Sequence, residues 1–190
     1  MIFAILLLIS AAILLYYNSS ESNRVEEDNL QTVTELEALF EQELEKKESK
    51  DTQNGAIHEN RTSININGHD YIGIVYIPTL NNLALPVIEN CTESNLRVSV
   101  CKYSGSIAES NLVIAGHNYK SSFGKLSKLS VGNIAYFKDA NGAVYKYTCK
   151  AIETLSPKSV EEMITGDWDL TLFTCTYNGA NRLAYRFELN

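Results

Sequence analysis

Nowhere in these 190 residues do lysine and arginine gather into a basic stripe. Phosphate-driven binding needs such a stripe, so nucleic acid is excluded as a partner. The net charge of −7 is local. Residues 21–51 hold eleven acids and four bases, while residues 52–190 hold twelve of each. The acidity therefore belongs to one segment, and the rest of the chain is neutral. No internal repeat or long low-complexity tract interrupts that remainder. Its composition, 45% hydrophobic and 21% charged over the whole chain, suits one globular domain with accessory segments.

What is present begins with MIFAILLLISAAILLYY, 17 residues without a charge. At about 1.5 Å per residue a helix of that length spans roughly 25 Å, the short end of what crosses a bilayer. Tyr16 and Tyr17 close the run where interfacial aromatics sit. The basic n-region and A-x-A-like site of a cleaved signal peptide are both missing. Residues 1–17 are expected to form a single-pass transmembrane anchor. Arg24, the next basic residue, is outnumbered by acids, which places the C-terminal part outside the cell.

Residues 18–61 read as an acidic stalk and linker. Leu30, Val33, Leu36, Phe40 and Leu44 recur at three- and four-residue spacing, one stripe of a helix. Asp28 is the expected N-cap, and Lys46 and Lys47 near the end suit the helix dipole. A solvated stalk helix packed loosely on the domain is the expectation, and DTQNGAIHENR, residues 51–61, the linker. From residue 62 the pattern becomes short strand-like runs: SININ, YIGIVYIP, LRVSV, NLVIAG, NIAYF, AVYKYTCKAIETL, LTLFTC and RLAYRFEL. INGHD and DANGAVY are hairpin turns. Eight strands in about 125 residues argue for an all-β, closed or nearly closed barrel over residues 62–190. Short helices are expected at SPKSVEEMI, where Ser159 and Glu162 could form a capping box, and around SSFGKLSKL.

Of the histidines, His58 lies in the linker and His69 in the NGHD turn, and both read as solvated loop residues. His117 leaves the buried-strand run NLVIAG, and Cys175 ends the run LTLFTC. Two strand ends can put an imidazole and a thiol on one barrel rim. A thiolate attacking a carbonyl creates an oxyanion that needs positive charge or hydrogen-bond donors. Arg182 and Arg186 follow Cys175 by seven and eleven residues. A tight TYNGAN turn would bring Arg182 near Cys175 and leave Arg186 deeper, although their even spacing puts both on one face. The plainer readings are a turn histidine, strand arginines and four cysteines, at 91, 101, 149 and 175, paired in disulfides.

Together these residues resemble a known family. DLTLFTCTYNGANRLAYRFEL is similar to the sortase signature, a TLxTC strand followed by an arginine-bearing last strand. LVIAGHN resembles the sortase histidine segment, and YIGIVYIPTLNNLALPVIE the early strands, so the likeness spans roughly residues 64–189. It implies an eight-stranded sortase-like β-barrel with short helices, behind the transmembrane helix and helical stalk. Residue by residue it makes Cys175 the nucleophile, His117 the acid/base and Arg182 the oxyanion or substrate-positioning residue. It further implies a membrane-tethered extracellular cysteine transpeptidase of mainly Gram-positive bacteria, with the segment from Glu153 to Asp169 as one wall of the peptide groove.

The implied substrate is a sorting-signal peptide, cut after Thr through a Cys thioester. The acyl group then passes to an amine of a cell-wall precursor or pilin, with no cofactor and no metal called for. The Glu153–Asp169 connection is shorter than the insertion of class B members, and the Cys-to-Arg spacing is shorter than in class A. No second apolar segment follows the barrel, as it would in class C. A class B- or D-like enzyme is the expectation. Two alternatives stay open: a membrane-tethered, disulfide-stabilised binding module without catalysis, and a purely hydrolytic cysteine peptidase.

Overall fold

The computed structural model describes residues 2–50 and 61–190, with backbone only for residues 2, 3, 6, 15, 18 and 43–50. His58 and nearly all of the expected linker lie outside the described residues. The first element is one unbroken helix, α1 (Ile2–Lys50), rather than an anchor and a separate helix capped at Asp28. The reason is what the segment lacks. No glycine or proline occurs before Gly55, and once a helix is nucleated only those residues impose a large local cost. The Asp28 carbonyl accepts from the Thr32 hydroxyl four residues on, as in a helix interior. Among the described residues no helix is long and apolar enough to cross a membrane.

The acidic half of α1 is not a loose stalk. Val33, Leu36 and Phe40 are buried against Ile64, Ile66, Tyr71, Ile74 and Ile88 of the barrel, whereas Leu30 is exposed. Burying side chains of this size contributes about 1.5–3 kcal/mol each. Lysines of the neutral barrel meet the acids of α1. Lys125 pairs with Glu26 at 2.8 Å, and Lys138 pairs with Glu37 while lying over the Phe40 ring. Asn29, also buried, donates to the Ser121 carbonyl.

Nine strands follow: β1 (Ile64–Ile66), β2 (His69–Ile77), β3 (Leu83–Ile88), β4 (Val100–Ser104), β5 (Leu112–Ala115), β6 (Ile134–Asp139), β7 (Val144–Leu155), β8 (Leu170–Cys175) and β9 (Arg182–Leu189). Eight of them close a ring in the order β2-β3-β4-β5-β8-β9-β7-β6, sealed by β6 against β2. β1 is a short extension paired to the start of β2 across an Asn67–Gly68 turn. Both turn residues have positive φ, the requirement that Asn-Gly satisfies. His69 opens β2, half-buried and edge-on to Tyr71, rather than lying in the turn. The ring interior is filled by Val75, Ile77, Val87, Ile114, Phe137, Leu172, Tyr185 and Phe187, so the barrel is a core and not a pore.

Two expectations fail inside this ring. LRVSV is not a strand: helix α2 (Glu93–Val98) occupies it, with the Thr92 hydroxyl accepting from the Asn95 amide at 3.1 Å, and β4 begins only at Val100. β3 is missing from the strand-like runs, although it lies within the stretch whose likeness implies early strands, and it accommodates a proline. The Pro86 carbonyl accepts from the Ser99 hydroxyl at 2.7 Å, on the side where β4 pairs only from Val87 onward. A residue's N and C=O point the same way in a strand, so Pro86 removes no ladder donor there. The eight-membered ring thus stands, with β3 and β4 replacing SININ and LRVSV. The short helix α3 (Val160–Ile164) and a 3-10 segment at Phe123–Lys128 lie where expected, but Ser159 makes no capping hydrogen bond.

If α1 is an integral wall of the barrel, Phe40→Ala should destabilise the chain from residue 25 onward by about 3–5 kcal/mol. Urea unfolding measures this, and a loss under about 1 kcal/mol would restore the loosely docked stalk.

Candidate active site

The site follows from how β8 is held on its two sides. β5 runs parallel to β8, with Ala115 beside Phe173, and the Gly116 amide continues the ladder to the Phe173 carbonyl at 3.1 Å. His117 lies two residues beyond Ala115, as Cys175 lies two beyond Phe173. Parallel strands in this register deliver both side chains to one rim. On the other side β9 runs antiparallel, and Arg182 is the direct cross-strand partner of Cys175. The imidazole, thiol and guanidinium therefore stand on three adjacent strand ends.

Local sequence makes each position. Gly116 is needed because a Cβ there would sit 2.7 Å from the Phe123 ring and 2.8 Å from Val100. Just beyond it, the His117 carbonyl accepts from the Phe123 amide at 3.0 Å, which folds the polar turn back under the ring. The TYNGAN turn is tight, as expected. The Thr176 amide donates to the Asn181 carbonyl at 2.9 Å, and the Asn181 amide to the Thr176 hydroxyl at 3.0 Å. Arg182 Nη1 donates to the carbonyls of Gly179 and Asn181, at 3.4 and 3.3 Å.

His117, Cys175 and Arg182 all line one groove of about 280 Å³. Its walls are Glu93 and Leu96 of α2, Tyr103 of β4, and Val160 and Met163 of α3 with Ser156 and Pro157 before it. The wall from the β7–β8 connection agrees with the expectation for Glu153–Asp169. The α2 wall was missed because LRVSV read as a strand. Its signal was the Thr92-Glu93 pair, a capping hydroxyl followed by a first-turn acid.

The His117 ring is stacked on Tyr119, centroids 4.8 Å apart. Burial is the largest influence on its pKa and lowers it; Glu93 opposes the shift and Arg97 adds to it. A lowered imidazole pKa leaves the ring neutral, and so able to accept a proton, near pH 7. All four cysteines are free thiols. Cys101 is buried and hydrogen-bonded to Cys91, which raises its pKa, while the same bond lowers that of Cys91. Burial pushes Cys149 up to about 11.

Geometry separates the two arginines that periodicity left together. Arg186 is only 2% exposed and points away from the thiol: its Nε donates to Glu153 at 2.8 Å, and its Nη atoms reach Thr171, Met163 and Glu162. Only Arg182 joins the Cys175 rim. The arrangement can attack a carbonyl with sulfur, place a cation near the resulting oxyanion and move a proton through imidazole.

Residues 75–189 match the family model described as Sortase domain. Among solved structures, sortase C1 of Streptococcus agalactiae in complex with MTSET is 26% identical over 63% of this chain and 69% of its own, with a TM-score of 0.55. The Clostridium perfringens sortase D5 transpeptidase is 21% identical over 86% of this chain and 99% of its own, TM-score 0.64. Sortase C of Streptococcus pneumoniae is 22% identical over 84% and 96%, TM-score 0.63. At that identity the last two establish the fold alone. No curated protein matches the sequence.

The direction of the His117 shift is measurable by proton NMR of the imidazole across pH. Its midpoint should fall below about 6.5, the ordinary histidine value, and a midpoint at or above it would contradict burial as the ruling influence.

Proposed function

The chain belongs to the sortase family of cysteine transpeptidases, and from that premise we propose that it cuts a sorting-signal peptide after Thr and transfers the acyl group to an amine. The observation that carries the site assignment is the pairing of Cys175 with Arg182 beside the His117 rim, all three lining one groove. The neutral His117 takes the Cys175 proton as sulfur bonds to the Thr carbonyl carbon. Arg182 stabilises the oxyanion that forms. Collapse of that intermediate breaks the C–N bond, and the imidazolium gives its proton to the departing amine. A thioester on Cys175 remains. An incoming amine attacks the thioester carbonyl and yields its proton to His117, which passes it to the released sulfur. The acceptor proposed is an amine of a cell-wall precursor or a pilin lysine.

The proposal includes a single-pass anchor at residues 1–17 with the barrel outside the cell. It is supported by the exposed apolar and aromatic side chains in that part of α1, Leu8 at 71% and Tyr16 at 78% among them. The subclass proposed is B- or D-like, supported by the seven-residue step from Cys175 to Arg182, which is shorter than in class A. Transfer is favoured over hydrolysis alone by family membership.

Cleavage of a library of Thr-containing sorting peptides, with and without added amines, tests this reading. Cys175→Ala should abolish turnover, and His117→Ala or Arg182→Ala should lower kcat by about 10²-fold or more. An Arg182→Ala enzyme with wild-type kcat would contradict its role, and release of free acid alone at high amine concentration would favour the hydrolytic peptidase. For the anchor, the full chain should sediment with lipid vesicles while the chain from residue 25 stays in solution. Equal partitioning of the two would refute it.

A further inference from the structure

Arg186 heads the fully enclosed large side chains, a buried charge that the chemistry above does not use. Its guanidinium joins three strands to one helix. Nε meets Glu153 of β7, Nη1 meets Thr171 of β8 at 3.0 Å, and β9 carries the residue itself. The other donors reach main chain: Nη1 to the Met163 carbonyl at 2.9 Å and Nη2 to the Glu162 carbonyl at 2.6 Å. Both carbonyls belong to the last turn of α3.

A helix of five residues cannot satisfy those acceptors from within, since the last four carbonyls of any helix lack intrahelical partners. α3 has no side-chain cap at Ser159 and no basic residue in its own last turn. Arg186 supplies from β9 both the missing donors and the positive charge that a helix C-terminus favours. The planar fork matters: one guanidinium meets two carbonyls, a hydroxyl and a carboxylate, four bonds that an ammonium with three donors cannot reproduce. Glu153 is 41% exposed, so the ion pair opens to water while the carbonyl-facing side stays enclosed.

What α3 does with that support connects Arg186 to the substrate. Val160 and Met163 line the catalytic groove, and Met163 packs on Phe173, two residues before Cys175. We propose that Arg186 is a positioning residue that fixes the α3 wall of the groove and thereby sets affinity for the peptide side chains lying against it. The inference rests on the peptide-cleaving reading of this groove. It assigns Arg186 a part in peptide recognition with no part in bond making.

The test compares the wild-type full chain with Arg186→Met and Arg186→Lys, well below their melting temperatures. Three quantities are read: donor-peptide kcat and KM, alkylation of Cys175 by iodoacetamide, and hydrogen exchange at the Met163 and Thr165 amides. For Arg186→Met, KM should rise about tenfold or more with kcat within about twofold, the signature of lost uniform binding. Alkylation of Cys175 should hold its rate, while the two α3 amides exchange faster and those of β8 stay protected. Arg186→Lys should fall between, and it carries the test if Arg186→Met does not fold. Unchanged KM, or unchanged exchange in α3, overturns the inference. So does a joint fall of kcat and alkylation, which would mean general collapse of the site. A wild-type chain that cleaves no Thr-containing peptide would instead overturn the peptide-cleaving reading, and the exchange result would then decide whether Arg186 holds α3.

Discussion

β8 is hydrogen-bonded on both edges, and the rest of the site depends on that. Its parallel ladder to β5 sets the level of His117, and its antiparallel ladder to β9 sets the level of Arg182. Three residues drawn from positions 117, 175 and 182 meet because side chains alternate with period two and ladders allow only discrete registers. A one-residue slip of β8 would turn Cys175 toward the opposite face and push Leu170 and Leu172 out of the core. The apolar core thus holds the chemical rim in register, and the polar groups at the rim need contribute little to stability.

A second layer surrounds this frame. α1 lays an apolar stripe on the barrel beside β1 and the start of β2, and its acids meet barrel lysines at Lys125 and Lys138. The described acids of α1 thus face water or basic side chains. α2 and α3 both line the groove, each one or two turns long and each held by a group beyond its own turns: the Thr92 hydroxyl for α2 and Arg186 for α3. Short helices of this kind are unstable alone, so the groove walls are only as fixed as those contacts.

Much of this was legible in the chain. Of the strands that carry chemistry, β5 and β8 are largely apolar runs that lead to His117 and Cys175, β9 opens at Arg182, and the Asn-Gly turn and the TYNGAN turn have residue requirements that sequence displays. What was not legible depends on partners distant in sequence. β3 is missing from the strand-like runs, and only Ser99 and the late start of β4 show how it accommodates Pro86, whose ring nitrogen lies on an unpaired side. α2 was lost because Leu96 and Val98 flank Arg97 with strand-like alternation over too few residues to decide a period. α1 was divided by a polar stretch that contains nothing able to stop a helix. Arg182 and Arg186 share a parity, and the structure separates their surroundings: Arg186 reaches Glu153 and the α3 carbonyls, whereas Arg182 pairs across from Cys175.

The central claim is that the thiol at the end of β8 forms the acyl bond. Its most direct measurement is intact-mass and peptide-mapping mass spectrometry of the chain mixed with a sorting peptide and no amine, quenched in acid. The account predicts a thioester adduct, equal in mass to the peptide up to its Thr, on the fragment containing Cys175 and on none containing Cys91, Cys101 or Cys149. An adduct on another cysteine, or cleavage with Cys175 unmodified at every time point, would contradict it.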